Sequence, residues 1–177
     1  MASALFPMLL GSEWNVLDES VRRMHGDTPS LRARGEADVG GSANIAARML
    51  RRIVGLPAPG SRRQLEFSIE RKGHRETWKR NFSGSVMRSV LDSSGDRLRE
   101  RLGPMAFLFD LHRDGDAIDW QLRGTCLLGI PLPRRISGNV LSRSGSRDGR
   151  YAFEVDVRMP LIDTLVSYRG WLEIVDG

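Results

Sequence analysis

An arginine stands among apolar residues in the hairpin around Lys72-Gly73. Leu65, Phe67 and Ile69 alternate with Gln64, Glu66, Ser68 and Glu70 before the turn, and residues 75–82 alternate after it. A two-residue turn at Lys72-Gly73 pairs Glu70 with Arg75, Glu66 with Lys79, Phe67 with Trp78 and Leu65 with Arg80. The ion pairs then share the wet face, and Trp78, Arg80 and Phe82 lie with Leu65, Phe67 and Ile69 on the covered one. A guanidinium in such company calls for an anionic partner. It can anchor a ligand's carboxylate or phosphate, close an internal salt bridge, or snorkel to the rim.

The same arithmetic at Asp114-Gly115 sets Phe109 opposite Trp120 and Leu111 opposite Ile118, with Asp110 opposite Asp119 on the other face. Facing carboxylates repel unless a proton, cation or water intervenes, which is one arrangement for general acid–base work. Flanked by Arg123, they read equally well as two solvated carboxylates. His112 shares their face, so Asp110, Asp119 and His112 are the catalytic candidates. The three histidines have no paired spacing such as H-x-x-x-H, and no metal site is expected. His25 closes a helix, where capping explains it, and His74 belongs to a turn. Residues 142–146 lack a G-x-S-x-G elbow. Gly40-Gly41-Ser42 precedes a helix but matches neither a phosphate loop nor the dinucleotide fingerprint, so no cofactor is expected.

The elements that must position these residues change period along the chain. Leu10, Trp14, Leu17, Val21 and Met24 form one helical stripe, which Ser12 can cap and His25-Gly26 ends. A second helix is predicted over residues 42–54, with Ile45, Met49, Leu50 and Ile53 inward and Arg48, Arg51 and Arg52 outward, stopped by Gly55 and Pro57. Residues 31–39 between them are extended. From Arg63 onward the period is two, with turns at Lys72-Gly73, Ser83-Gly84, Asp114-Gly115 and Asp148-Gly149; residues 92–103 read as a polar turn. This gives about nine strands in a single α+β domain over residues 1–177, a strongly curved antiparallel sheet or partly open barrel with both helices packed on one side.

Composition sets outer bounds. Cys126 is the only cysteine, so no internal disulfide can form, and the cytoplasm is the expected compartment. The first ten residues are partly apolar but carry no basic residue before Arg22, unlike a signal peptide. No run reaches the ~18 apolar residues of a membrane span. The net charge is +5, yet the 27 basic residues read as interleaved with the 22 acids, and neither zinc-finger spacings nor aromatic single-strand platforms occur. No nucleic-acid partner is expected.

Several segments in order carry a resemblance: Thr77-Trp78-Lys79-Arg80-Asn81-Phe82, Arg101-Leu102-Gly103-Pro104, Gly129-Ile130-Pro131-Leu132-Pro133, Asp148-Gly149-Arg150-Tyr151 and Tyr168-Arg169-Gly170-Trp171-Leu172. Together they resemble the bacterial family named domain of unknown function 4166. The resemblance brings no catalytic residues. It implies a domain found alone or fused to saccharopine-dehydrogenase-like or short-chain-dehydrogenase-like NAD(P)-binding domains, hence an accessory role and a dehydrogenase-like partner protein. The chain departs from that pattern before Asp148-Gly149, where an acid is common and residues 142–146 have none. The leading expectation is a small-molecule binding domain, with Arg80 anchoring an apolar or amphipathic anion and Trp78, Phe82, Phe109 and Trp120 as walls. A small cofactor-free acid–base enzyme and a protein-interaction module are the alternatives.

Overall fold

The computed structural model describes residues 4–160 and 162–176. Its elements are α1 (Leu5–Leu10), a 3₁₀ segment (Gly11–Val16), α2 (Glu19–His25), β1 (Ser30–Gly40), α3 (Ile45–Val54), β2 (Gly60–Lys72), β3 (Arg75–Phe82), β4 (Ser85–Ser94), β5 (Arg97–Leu102), β6 (Met105–Asp114), β7 (Ala117–Leu127), β8 (Ile130–Pro131), α4 (Arg134–Ser137), β9 (Asn139–Arg147), β10 (Arg150–Met159) and β11 (Asp163–Asp176). All strand pairs are antiparallel. With β8 set aside, each strand pairs with the next in chain order, β7 with β9 among them, and β11 returns to β1, so ten strands close into an up-and-down barrel. The two residues of β8 extend β7 at its edge.

The α+β class and the antiparallel curvature agree with the sequence reading, but the sheet has eleven strands where about nine were expected, and it is closed where a partly open one was expected. Residues 92–103, read as a polar turn, are the end of β4 and all of β5. Arginines hid this strand. Arg99 and Arg101 lie outside, each 2.7 Å from Asp92, while Leu98, Glu100 and Leu102 alternate inward.

Glycine chemistry sets the hairpins. Asp148 and Gly149 both have positive φ (53° and 74°), and the turn falls on them as expected. Ser83-Gly84 does the same, but at the turns predicted on Lys72-Gly73 and Asp114-Gly115 glycine alone is positive, Gly73 at 59° and Gly115 at 64°, so each takes the first central position and the next residue the second. Lys72 therefore pairs with Arg75 and Asp114 with Ala117. Every expected partner moves by two: Arg80 faces Phe67, Trp78 faces Ile69, Phe109 faces Leu122, and Asp119 faces His112 instead of Asp110. A shift of two preserves the faces. Trp78, Arg80 and Phe82 are buried, and Glu66, Glu70, Arg75 and Lys79 are exposed.

The helices do not share one side of a sheet; they sit at opposite ends of the barrel. The predicted single N-terminal helix is broken, because Leu17 is extended and Asp18, not Ser12, starts α2 by accepting from Ser20 N at 2.8 Å. The stripe still buries Leu10, Leu17, Val21 and Met24. This segment plugs the end that holds the β2–β3, β4–β5, β6–β7 and β9–β10 turns: Asp18 N donates to Asp116 O, and Arg71 Nη2 to Met24 O at 2.6 Å. α3 lies at the other end, where the β5–β6 turn brings Gly103 against Val54. Asn44 caps α3, and Gly55, left-handed at φ 77°, ends it. Its roll differs from expectation. Arg51 is buried, and Ile45, Met49 and Ile53 are exposed. Arg51 Nη1 donates to Ser42 O (3.0 Å) and Leu165 O (2.8 Å), and these main-chain acceptors pull the guanidinium inward.

Candidate functional site in the barrel interior

The plugged end is floored by aromatic rings. Phe6 from α1 lies 6.0 Å from Trp78, 5.6 Å from Trp120 and 4.2 Å from His25, centroid to centroid. Tyr151, Phe153 and Phe109 continue this cluster up the wall through tilted and edge contacts. Strand alternation alone aims the wall rings inward.

Arg80 emerges from the middle of β3 into this interior and is 9 % exposed. Its Cζ lies 4.8 Å from the Trp78 centroid and 5.6 Å from that of Phe67, so the cation rests on two π-faces. Nη1 donates to Ser89 Oγ at 3.0 Å and reaches Glu100 Oε1 at 3.5 Å, the edge of hydrogen-bonding distance. Both bonds use the same nitrogen; among the described residues Nε and Nη2 make none. Trp120 Nε1 is likewise buried without a partner among the described residues. Among the described residues the interior thus holds unpaired donors at Arg80 and Trp120, with His25 Nδ1 the unpartnered acceptor nearby.

A second polar cluster supports the floor. Tyr151 donates to Ser144 Oγ at 2.9 Å, which leaves His25 Nε2, 3.0 Å away, to donate to the phenol oxygen. Burial pushes both Tyr151 and Tyr168 up to about 12, so both phenols are neutral donors. Burial, with the Arg71 and Arg80 charges adding to it, holds His25 well below its ordinary value and neutral. Glu76 is buried too, and burial raises its pKa against the opposing pull of Arg71, 3.1 Å away, and a 2.7 Å hydrogen bond from Trp78 Nε1.

Two chambers share Glu100, Phe109, Val140, Val155 and Tyr168. The inner one, about 60 Å³, holds Arg80, Trp120, Ser144 and Tyr151. The outer one, about 280 Å³, is lined almost wholly by apolar side chains and runs to α3 through Leu50 and Ile53. All five residues expected to form the ligand site, Arg80, Trp78, Phe82, Phe109 and Trp120, line the inner chamber together. Sequence reasoning missed Glu100, Ser144, Tyr151 and Tyr168. For Glu100 the period-two run Leu98, Glu100, Leu102 was the available signal.

Asp110, Asp119 and His112 do not join them. Asp110 is on the outer wall between Arg97 (2.9 Å) and Arg123 (2.5 Å); desolvation would raise its pKa, but these hydrogen bonds outweigh it and hold the carboxyl below its usual range. Asp119 pairs with His112 on one side and Arg143 on the other, and His112 is exposed. Gly41 cradles the protein's own cation: a Cβ there would stand 2.9 Å from Arg51 Nη1 and 2.8 Å from Leu165 O. Among the described residues no three His, Cys, Asp or Glu side chains cluster as metal ligands, and no helix is long and apolar enough to cross a membrane.

Fold and interior together define a closed, up-and-down antiparallel barrel around an apolar cavity with a polar inner end built on Arg80. The chain belongs to the family described as Domain of unknown function (DUF4166), whose model matches residues 17–172. No curated protein matches it in sequence.

Proposed function

We propose that the barrel is a binding domain for an elongated, apolar or amphipathic anion, its charged head at Arg80 and its tail in the outer chamber. Arg80 is the observation that carries this reading: a guanidinium with two uncommitted nitrogens at the inner end of an apolar cavity. The unpartnered Trp120 Nε1–H offers a further donor to the same head group. The cavity is close to the size of pockets that hold small ligands, roughly 300–1,000 Å³. Acid–base catalysis is less well supported, because burial drives Tyr151 and His25 away from the pH range in which a proton shuttle works. An accessory role beside a dehydrogenase-like partner in the cytoplasm is compatible with a carrier or sensor of this kind.

The test uses Arg80→Met together with Glu100→Gln, so that no carboxylate is stranded. Native mass spectrometry of the purified protein looks for a retained anion, and titration with anilinonaphthalene sulfonate, read through Trp78 and Trp120 fluorescence, measures affinity. Binding is expected to weaken by about tenfold or more, the worth of a charge-assisted hydrogen bond, with the fold intact. Equal affinity in the double variant would remove Arg80 from the site.

A further inference from the structure

α3 turns its apolar stripe away from the protein. Ile45, Met49 and Ile53, spaced four apart and hence on one face, are 66, 61 and 66 % exposed. Arg48 and Arg52 flank them, also exposed. At the same end, the β7–β8 turn and α4 expose Leu128, Ile130 and Ile136 beside the exposed Arg134 and Arg135. These two elements frame the mouth of the outer chamber, to which they contribute Leu50, Ile53, Leu132 and Ser137.

Acidic residues are unevenly distributed along the barrel axis. Residues 39–65 and 120–147 contain no Asp or Glu at all. The connections at the α3 end are acid-free by sequence, with Asp163 at the start of β11 the nearest exception. The opposite end carries Asp96, Asp116 and Asp148 in its turns and Glu13, Asp18, Glu19 and Asp27 in the plug. The α3 end is thus basic and nearly free of acids, whereas the opposite end interleaves its acids with Arg22, Arg23, Lys72, Arg75, Arg97 and Arg147.

We propose that this rim docks on an anionic lipid bilayer, with α3 lying in the interface, its isoleucines and methionine among the acyl chains and its arginines at the headgroups. An apolar stripe bordered by cations is the pattern of an interfacial helix, and each arginine near an anionic surface adds attraction. A second copy fits poorly, since a symmetric pairing would set Arg48, Arg52, Arg134 and Arg135 against their own counterparts. Docking here is independent of what the cavity holds.

Co-sedimentation with vesicles tests it. The protein is expected to bind phosphatidylglycerol–phosphatidylcholine vesicles, to release them as salt rises, and to ignore pure phosphatidylcholine. Arg134→Gln with Arg135→Gln should weaken binding roughly 30-fold, and Ile45→Ser with Met49→Ser should abolish it, both with unchanged circular dichroism. Arg80→Met with Glu100→Gln should bind vesicles like the parent, separating this proposal from the ligand reading. Failure to bind anionic vesicles, or binding indifferent to the rim variants, overturns it. So does sedimentation equilibrium showing a dimer that Ile45→Ser with Met49→Ser converts to monomer, which would make the face an interface between copies.

Discussion

His25 is a residue whose burial has a measurable price in acid. In the unfolded chain it takes up a proton as pH falls through about its ordinary value of 6.5; in the fold, burial and the nearby Arg71 and Arg80 charges keep it neutral well below that. The unfolded state therefore binds more protons in this window, and stability falls with pH by up to about 1.4 kcal/mol per unit. Glu76 acts in the opposite sense above its ordinary 4.5, since its raised folded-state pKa makes the fold hold a proton the unfolded chain lacks. Comparison with His25→Gln isolates the histidine, because both proteins keep Glu76. Melting temperatures measured from pH 7 to pH 5 should fall more steeply for the parent than for the variant; parallel curves would show that His25 is not held neutral.

Among the elements, α3 depends on one side chain. Arg51→Met keeps the aliphatic bulk but leaves the buried Leu165 carbonyl short of a donor, a loss of about 1–3 kcal/mol. Hydrogen exchange should rise first in residues 45–54, and denaturant melts should show the loss. The roll of α3 was not legible in sequence because the acceptors are main-chain oxygens, one of them 114 positions away, and a helical wheel sees only side chains. Strand faces were legible, since Leu65, Phe67 and Ile69 or Phe109 and Trp120 keep their side through any shift of two. Register was not. A glycine after Lys72 or Asp114 can occupy either central position of a tight turn, and in the fold Gly73 and Gly115 take the first. The lining aromatics and Arg80 were legible for the same reason as the faces, whereas Glu100 was hidden in the arginine-rich β5.

For the whole molecule the decisive contact is the seam between β1 and β11. Gly35 and Gly170 allow it: a Cβ on either would lie 1.9 Å from Trp171 O or 2.0 Å from Glu36 O, a collision with backbone that no rotamer can relieve. Gly170→Ala should cost on the order of 3 kcal/mol or more in thermal or chemical denaturation, while Gly145→Ala, whose new methyl would meet only the Ala117 side chain, should cost less. The seam also orders events in time. Every other wall pairing joins strands that are successive among the ten, so hairpins can form as the chain appears, but closure waits for residues 163–176 to find residues 30–40. Before that moment β1 and β11 are both unpaired edges, and the open ten-stranded sheet is the species most exposed to pairing with another chain. Bringing ends so distant in sequence together is slow. The last step of folding is thus also the step that creates the cavity.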